Sequence, residues 1–251
     1  MNKTILITGA TSGIGKATAE LLASLGFRLI LTGRRKERLE EIKENLSHLA
    51  EIHILVFDVR DKNAIPKLIS ELPQEFKQID VLINNAGNAY GMGSIHEGEL
   101  EDWDNMIDIN VKGLLYMTRA VSPQMVERKS GHIINIGSLA GVETYPNGTV
   151  YCASKHAVVA ASEGMRKDLN PYGIKVSTVS PGLVETEFSE VRFHGDKERA
   201  ASVYKGFAPL SAFDIAETIE FVVTRPDHVN IGDMLVLPSA QASSTMVKKD
   251  L

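Results

Sequence analysis

The sequence has little of what stabilises small secreted domains, membrane proteins or metal sites. It contains a single cysteine, Cys152, so no internal disulfide can form, and we interpret this thiol as a small packed side chain. It has no signal-peptide-like start and no run of about 18 apolar residues. The seven histidines show no close ligand pair such as HExxH. We therefore expect a soluble cytoplasmic protein without a membrane partner or a bound metal.

The sequence also has no large excess of charged residues of one sign. The 251 residues carry 27 basic and 32 acidic side chains, for a formal net charge of -5. A nucleic-acid partner is not expected from that balance. Hydrophobic residues make up 43% and charged residues 24%, which is ordinary for a globular domain.

Apolar runs and amphipathic segments alternate along the whole chain. Such alternation predicts βαβ units and a doubly wound parallel sheet with helices on both faces, an α/β architecture of the Rossmann type. No linker-like composition interrupts it, so we predict one domain over 1–251, ending in a polar tail at about 242–251. The predicted strands are 4–8, 27–32, 52–59, 79–83, 132–136, 174–180 and 234–237, and the later predicted helices are 62–76, 100–129, 151–169 and 214–224.

A glycine-rich turn, GATSGIG, joins the first predicted strand to the first predicted helix. In a doubly wound sheet this turn directs a helix N-terminus towards a pyrophosphate. Glycines allow the backbone to approach the phosphate closely. The spacing is GxxxGxG rather than the commoner GxGxxG. The turn predicts a nucleotide-binding segment made of Gly9, Thr11, Ser12, Gly13, Ile14 and Gly15.

The second predicted strand runs into TGRR, with no acidic residue before Glu37. An acid near this point binds the ribose 2′-hydroxyl of NAD, whereas arginine accommodates the 2′-phosphate of NADP. Arg34 and Arg35 therefore favour NADP over NAD, although arginines at a helix start are also common as solvated charge. Asp58, after the third strand, can bind the adenine amine or cap the next segment.

The segment 138–155 places Ser138, Tyr151 and Lys155 in one short stretch. A tyrosine and a lysine at i and i+4 share one helix face, and an ammonium close to a phenol lowers its pKa. Tyr151 can then exchange a proton with an alcohol or a carbonyl while Ser138 holds the substrate oxygen. None of the three can accept a hydride, so an oxidoreductase of this kind needs a cofactor. A lone YxxxK is more often a solvated helix face.

Together these motifs resemble the classical short-chain dehydrogenases/reductases over nearly the whole chain. TGATSGIG matches the family's cofactor turn, Asp58 and Val59 its adenine-contacting pair, and NNAG its fourth-strand motif. Asn110, the serine, the YxxxK and the Pro181-Gly182 pair follow in the family's order. The resemblance implies that NADP also contacts the following residues: Val59, Asn85, Ala86, Gly87, Tyr151, Lys155, Pro181, Gly182, Val184 and Thr186.

The resemblance also implies roles in catalysis. Tyr151 is the expected acid/base, Lys155 lowers its pKa and binds the nicotinamide ribose, and Ser138 binds the substrate. Asn110 is expected to keep a water in a proton relay to Lys155. The hydride is expected to transfer on the 4-pro-S side of the nicotinamide.

Several segments, such as GHIINIGS and GLVETEFSEVRFHGD, resemble one subgroup, the NADP-dependent 3-hydroxy acid dehydrogenases that oxidise serine and related acids. These relatives are typically homotetramers. Within a substrate loop at about 183–205, Arg192 is a candidate for binding a substrate carboxylate through two parallel hydrogen bonds. A surface arginine or an interface ion pair is the competing interpretation.

Two further functions stay open at this point. One is a broad carbonyl or alcohol reductase, or a sepiapterin-type reductase, with a wide apolar pocket lined by Phe188, Phe193 and Tyr204. The other is a nucleotide-sensing protein that has lost turnover. A homo-oligomer is also expected, because the resemblance implies a dimer interface on the outer faces of helices 101–129 and 151–169. These helices carry many apolar residues, some of which must face the sheet: Met106, Ile109, Leu114, Met117, Val158 and Val159.

Overall fold

The computed structural model of the chain describes residues 3–250. Strands and α-helices alternate along it, as predicted. The strands are β1 (Thr4–Ile7), β2 (Arg28–Gly33), β3 (Ile52–Val56), β4 (Val81–Asn84), β5 (Gly131–Ile136), β6 (Ile174–Pro181), β7 (Val184–Glu185), β8 (Leu210–Ser211) and β9 (Asp233–Val236). The α-helices are α1 (Gly13–Ser24), α2 (Lys36–Leu46), α3 (Ala64–Ser70), α4 (Leu100–Ile107), α5 (Leu114–Arg128), α6 (Thr149–Leu169), α7 (Phe188–Arg192), α8 (Lys197–Ser202) and α9 (Ala212–Val223).

Seven of the strands form one parallel sheet in the order β3-β2-β1-β4-β5-β6-β9. The chain winds outward from β1 to β3 and then crosses back to β4. That reversal opens a crevice at the carboxyl ends of the strands, which is where doubly wound sheets bind ligands. The predicted fold class, a single doubly wound α/β domain, is confirmed.

The core lies on both faces of this sheet. Along β1, Ile5 and Ile7 join one buried cluster and Leu6 joins the other. Successive side chains of a strand point to opposite faces. All three side chains have no exposed surface, so β1 is covered on both sides, as its continuous apolar sequence predicts.

Two predicted helices are interrupted. The segment 62–76 forms α3 and then a separate 3₁₀ turn at Gln74–Phe76, because Pro73 cannot continue the helix. The segment 100–129 is helical almost throughout, but residues Asp108–Gly113 between α4 and α5 adopt a π-helical turn. Such widened turns are common at functional sites.

The dimer interface expected on the outer faces of helices 101–129 and 151–169 stays a prediction. Five of the six apolar residues named on these helices are less than a tenth exposed within the chain itself. They pack under the helices against the sheet and neighbouring segments, as was expected of some of them. These buried residues are Met106, Ile109, Leu114, Met117 and Val158.

The segment after β6 is more regular than a loop. It contains β7, α7 and α8 and then returns through β8, which pairs with β7. The polar tail also folds back: Gln241 is buried, and the amides of Ser244 and Asp250 donate to Glu143 Oε2 at 2.8 Å and to the carbonyl of Gly206 at 2.7 Å. The tail therefore lies against the segments around the crevice.

Among residues 3–250, none of the helices is both long enough and apolar enough to cross a lipid bilayer.

Candidate active site

A cavity of about 470 Å³ lies in the crevice at the carboxyl ends of the strands. It extends from the glycine-rich turn and the end of β2 to the start of α6 and the segment around α7. The predicted nucleotide-binding and catalytic residues therefore share one cleft. Two of them do not line it: Gly15 packs behind the turn, and Asn110 lies buried behind Lys155.

The glycine-rich turn is held tightly against the end of β4. Gly9 has φ +66°, and a Cβ atom there would lie 2.9 Å from the Cα of Ala86. A Cβ on Gly15 would lie 2.4 Å from the carbonyl oxygen of Gly9. The Asn85 side chain donates to the carbonyls of Thr8 and Gly9 at 2.9 and 3.1 Å. The turn can therefore bring its backbone close to a ligand only with glycine at these positions.

The N-terminus of α1 opens into the same cleft. Ser12 precedes the helix but makes no side-chain capping bond, so the first backbone N–H groups of α1 are left for a ligand. Such a helix start favours an anion such as a pyrophosphate. Across the cleft, Thr186 packs against Gly13, whose φ is +52°.

Arg35 lies at the end of the cleft beside β2. Its guanidinium donates to the Thr11 hydroxyl at 2.7 and 3.0 Å and to the Ser12 hydroxyl at 2.7 Å. It also donates to Glu187 from across the cleft at 3.0 Å. Arg34 lies 3.8 Å from Asp58 and is more than half exposed. Two guanidinium groups thus line the position where a 2′-phosphate is expected.

The Asp58 carboxylate is largely occupied by Arg60. Both the backbone amide and the guanidinium of Arg60 donate to it, at distances of 2.7 to 3.1 Å. Burial raises the pKa of Asp58, but hydrogen bonds and charge from Arg60, with charge from Arg34, outweigh that effect and lower it. These contacts match the turn-capping interpretation of Asp58, while its position on the cleft wall keeps it within reach of an adenine.

Tyr151 and Ser138 meet at the floor of the cleft. Ser138 follows β5 and accepts the amide of Ala140 at 3.1 Å, and Tyr151 lies in the first turn of α6. Burial and the neighbouring phenol of Tyr145 raise the pKa of Tyr151. A hydrogen bond with Ser138 and the charge of Arg192 act in the opposite direction.

Lys155 lies one turn further along α6 and is fully enclosed. Its Nζ donates to the carbonyl of Ile136 at 2.9 Å, and burial lowers its pKa to about 8. That Lys155 lowers the pKa of Tyr151 stays a prediction. The groups that oppose the raised pKa of Tyr151 are Ser138 and Arg192.

Asn110 lies in the π-helical turn and ties three segments together. Its amide donates to the carbonyl of Asn88 at 2.8 Å and to the Ser154 hydroxyl at 3.0 Å, and its Oδ1 accepts the amide of Asn88 at 2.8 Å. A Cβ atom on Gly87 would lie 3.1 Å from this Oδ1 and 3.5 Å from the Nζ of Lys155. The structure thus places Asn110 close to Lys155, as the proton-relay prediction requires.

Arg192 enters the cleft from the C-terminal end of α7. Its guanidinium carbon lies 5.5 Å from the ring centroid of Tyr145 and 5.6 Å from that of Tyr151. Its Nε donates to the carbonyl of Gly91 at 3.3 Å, whereas its buried Nη2 has no hydrogen-bond partner within residues 3–250. A buried cationic donor without a partner is costly, so this atom is suited to an anionic ligand.

Contacts on the far side of the cleft hold the end of α7 in place. The amide of Gly91 donates to the carbonyl of Arg192 at 2.9 Å. His194, just beyond α7, lies 3.0 Å from the Asp102 carboxylate of α4. Arg192 is therefore part of the cleft wall, and within residues 3–250 it forms no ion pair with a carboxylate.

Several lining residues were missed from the sequence. Tyr145 precedes Tyr151 by six residues and contacts Arg192, and burial raises the pKa of its phenol. Glu187 pairs with Arg35, and Gln241 accepts the amide of Leu183 at 2.9 Å. An aromatic residue between Ser138 and Tyr151 was a visible signal for Tyr145, but nothing local marks Gln241.

No metal centre accompanies this site within residues 3–250, since no group of three or more His, Cys, Asp or Glu side chains there is arranged to hold an ion.

Comparison with known proteins agrees with this geometry. Residues 3–197 match the family model of the short chain dehydrogenases. A Schizosaccharomyces pombe protein named NADP-dependent 3-hydroxy acid dehydrogenase is 48% identical over 98% of this chain and 96% of its own. A Chromohalobacter salexigens protein named sulfoacetaldehyde reductase 2 is 45% identical over 97% of each chain.

Solved structures give the same relationship. The closed form of a serine dehydrogenase complexed with NADP⁺ superposes with a TM-score of 0.93 at 44% identity, covering 99% of this chain and 100% of the other. An Escherichia coli serine dehydrogenase structure gives 0.83 at 42% identity over 95% of this chain and 99% of the other. A chain with this cleft, this Ser-Tyr-Lys arrangement and these relatives belongs to the short-chain dehydrogenase family.

Proposed function

We propose that the protein is an NADP(H)-dependent oxidoreductase that interconverts a small 3-hydroxy acid, such as serine, and the corresponding oxo acid. The observation that carries the proposal is the position of Arg192. A guanidinium with a buried, unpartnered donor lies beside the phenol that handles the proton. A neutral alcohol would leave that charge uncompensated, whereas a carboxylate satisfies it.

The cleft residues fit a dinucleotide with a 2′-phosphate. The close-packed turn at Gly9 and the open start of α1 suit a pyrophosphate, and Arg34 and Arg35 flank the ribose position. NADP, when bound, supplies the hydride acceptor that the side chains lack. We further propose that Asn85, Ala86, Gly87, Pro181, Gly182, Val184 and Thr186 contact the cofactor, because each of them lines the cavity.

The proton is transferred by residues of α6 and of the segment that follows β5. Ser138 holds the substrate oxygen, and Tyr151 takes the hydroxyl proton during oxidation or returns it during reduction. Because burial raises the pKa of Tyr151, oxidation requires groups that favour the phenolate, which Ser138 and Arg192 provide. Lys155, fixed on the carbonyl of Ile136, lies on the route from Tyr151 towards Asn110.

Arg192 and Tyr145 form the acid-binding side of the pocket. The carboxylate is expected to accept from the free Nη2 of Arg192 and from the Tyr145 hydroxyl, which places the 3-hydroxyl towards Ser138 and Tyr151. Holding both ends of a short substrate brings the reacting carbon into attack geometry, which supplies a large part of the rate.

A second substrate class is favoured by the same contact. A guanidinium binds a sulfonate as readily as a carboxylate, since both present oxygens to its planar fork. One relative is named a sulfoacetaldehyde reductase. Reduction of a small sulfonated aldehyde is therefore the alternative, and it uses the same residues in the same roles.

The remaining interpretations have less support. Phe188, Phe193 and Tyr204 do line the cavity, but the Tyr204 hydroxyl is bound to Ser189 at 2.7 Å and to the carbonyl of Val184 at 2.9 Å. A broad carbonyl or sepiapterin-type reductase gives no role to Arg192. A nucleotide sensor gives none to the arrangement of Ser138, Tyr151 and Lys155.

The test is the absorbance change at 340 nm with NADP or NAD and a panel of L-serine, other 3-hydroxy acids and uncharged alcohols. NADP-dependent oxidation of an acid is expected, with loss in Tyr151→Phe. Reduction of sulfoacetaldehyde that outpaces oxidation of every acid would select the sulfonate alternative. Binding of NADP without turnover of any substrate would refute the enzyme proposal and favour the sensor.

We also propose a homo-oligomer, and specifically a tetramer. Exposed apolar side chains on the edge strand β9 and on helices α5 and α9 support it, because such surfaces are usually covered. They include Leu235 at 49% exposure, Phe221 at 42% and Leu115 at 40%. Light scattering tests this: a mass of four chains is expected, and a monomer at micromolar concentration would contradict it.

A cytoplasmic location is proposed on the strength of the cofactor, which is a cytoplasmic metabolite. Fractionation of the source cells is the test, and recovery in a membrane or secreted fraction would contradict it.

A further inference from the structure

Glu187 connects the segment around α7 to the arginines at the start of α2. Its carboxylate accepts from Arg35 at 3.0 Å and from Arg38 at 2.7 and 3.0 Å. Burial raises the pKa of Glu187, but the two arginines outweigh that effect and lower it, so the carboxylate is charged at neutral pH. One acid from the substrate side of the cleft is thus held by two cations on the cofactor side.

The position of Glu187 in the chain allows this contact to influence Arg192. Glu187 immediately precedes α7, and Arg192 is the last residue of this five-residue helix. The helix is held at its far end by Gly91 and Asp102. Holding Glu187 therefore fixes the near end of the element that presents Arg192 to the pocket.

Arg35 serves both sides of the cleft. The guanidinium that holds Glu187 also donates to Thr11 and Ser12 in the glycine-rich turn, beside the proposed 2′-phosphate position. A phosphate at that position and the Glu187 carboxylate would both accept hydrogen bonds from the Arg35 guanidinium. The charges of Arg34, Arg35 and Arg38 together can balance a phosphate dianion and one carboxylate, and Arg38 keeps its own bonds to Glu187 when Arg35 turns to the phosphate.

We propose that Glu187 is a positioning residue that competes with the 2′-phosphate of NADP for Arg35 while it holds α7 in place for the acid substrate. This inference rests on the proposed NADP-dependent function. Under this proposal Glu187 has two opposite effects: it lowers the affinity for NADP and raises the affinity for the acid substrate. A residue with a merely structural role would affect both in the same direction.

Glu187→Gln removes the charge and keeps the size of the side chain. The Kd of NADP is expected to fall about three- to tenfold, as the loss of one nearby like charge predicts. The Kd of NAD, which has no 2′-phosphate, is expected to stay constant. The KM of the acid substrate is expected to rise about tenfold, because α7 loses one of its two anchored ends.

The matched control is Glu190→Gln. Glu190 lies in α7, three residues after Glu187, and its side chain is 44% exposed against 43% for Glu187. Its carboxylate pairs within residues 3–250 only with Lys197, at 3.8 Å. It should leave all three constants unchanged. Arg38→Gln should raise the KM of the acid by itself and add nothing to Glu187→Gln in the double variant, because the two side chains act through one contact.

The experiment measures Kd by the fluorescence of bound NADPH and NADH, and by calorimetry with NADP⁺ and NAD⁺, alongside initial rates. Tighter NADP binding with a raised acid KM supports the proposal. Two results overturn it, provided that the wild-type enzyme oxidises the acid: weaker binding of both cofactors by Glu187→Gln, or no change in any of the three constants. Absence of turnover or of NADP binding in the wild type would instead refute the proposed function.

Discussion

The guanidinium of Arg192 lies over the ring of Tyr151, with its central carbon 5.6 Å from the ring centroid. The side chain proposed to bind the substrate's acid group is therefore also a fixed positive charge beside the phenol proposed to exchange the proton. Two predictions follow from that pairing, one for substrate selection and one for pH dependence.

Replacing Arg192 should remove the preference for acids. In Arg192→Gln, the KM of L-serine or the preferred acid is expected to rise about a hundredfold, the scale of a lost charge-assisted pair. The kcat/KM for an uncharged alcohol should change far less. Arg199→Gln is the control, because Arg199 carries the same charge in the same segment but stacks on Phe193, 4.4 Å from the ring centroid. Equal losses on acids and neutral alcohols would contradict the anchoring role.

The pH profile should respond to the same substitution. Tyr151 must be deprotonated to accept the hydroxyl proton, so oxidation of an uncharged alcohol is expected to rise with pH. Burial raises the pKa of this phenol and the charge of Arg192 opposes the rise. Removing the charge disfavours the phenolate, so the rising limb of kcat/KM should move to higher pH in Arg192→Gln. A limb that stays in place, or moves to lower pH, would show that Arg192 does not influence Tyr151.

Arg35 should determine the choice between the two nicotinamide cofactors. Arg35→Gln is expected to weaken NADP binding about thirtyfold, because a guanidinium–phosphate pair is lost, and to leave NAD binding nearly unchanged. Arg28→Gln is the control: Arg28 begins β2 at the opposite end and binds Glu51 at 2.8 Å. The measurement is the Kd of each cofactor by calorimetry. Equal weakening of NADP and NAD would instead indicate damage to the glycine-rich turn through Thr11 and Ser12.

His132 should make the fold sensitive to acid. Its ring lies in β5 against the Ser177 hydroxyl at 2.8 Å, and burial lowers its pKa from 6.5 to about 3. Between those two pH values the unfolded chain binds a proton that the folded chain does not, so the free energy of unfolding falls as pH drops from about 6.5. Urea titrations at pH 7 and pH 5 should show a smaller loss of stability in His132→Gln than in wild type. An equal loss in both proteins would assign the acid sensitivity to other groups.

The sequence was sufficient for the sheet and the cofactor turn because their signals are local. The apolar run of β1, the glycines that follow it and the YxxxK spacing each lie within a few residues. The structure adds what proximity in sequence cannot show. Arg35 and Glu187 are 152 positions apart, and Gln241 meets Leu183 from 58 positions away.

One local prediction failed for a physical reason. The amphipathic pattern of 62–76 continues past Ser70, but Pro73 ends the helix before the pattern does. For the long helices, the sequence did not divide the apolar residues between the sheet side and the outer face, and the structure places Met106 and Met117 inside the chain. Composition alone does not show which face of a helix its apolar residues occupy when the helix is covered on more than one side.

Cys152 provides a reporter for the active site. It follows Tyr151 on α6, has no exposed surface, and is the single thiol of the sequence. A thiol reagent can reach it only when the start of α6 separates from its neighbours or when the whole domain unfolds. The rate of labelling of the unmodified protein, compared with the rate of global unfolding, therefore measures how often the catalytic helix opens. Cofactor binding should slow that labelling, so the labelling rate of this thiol reports cofactor binding without any engineered probe.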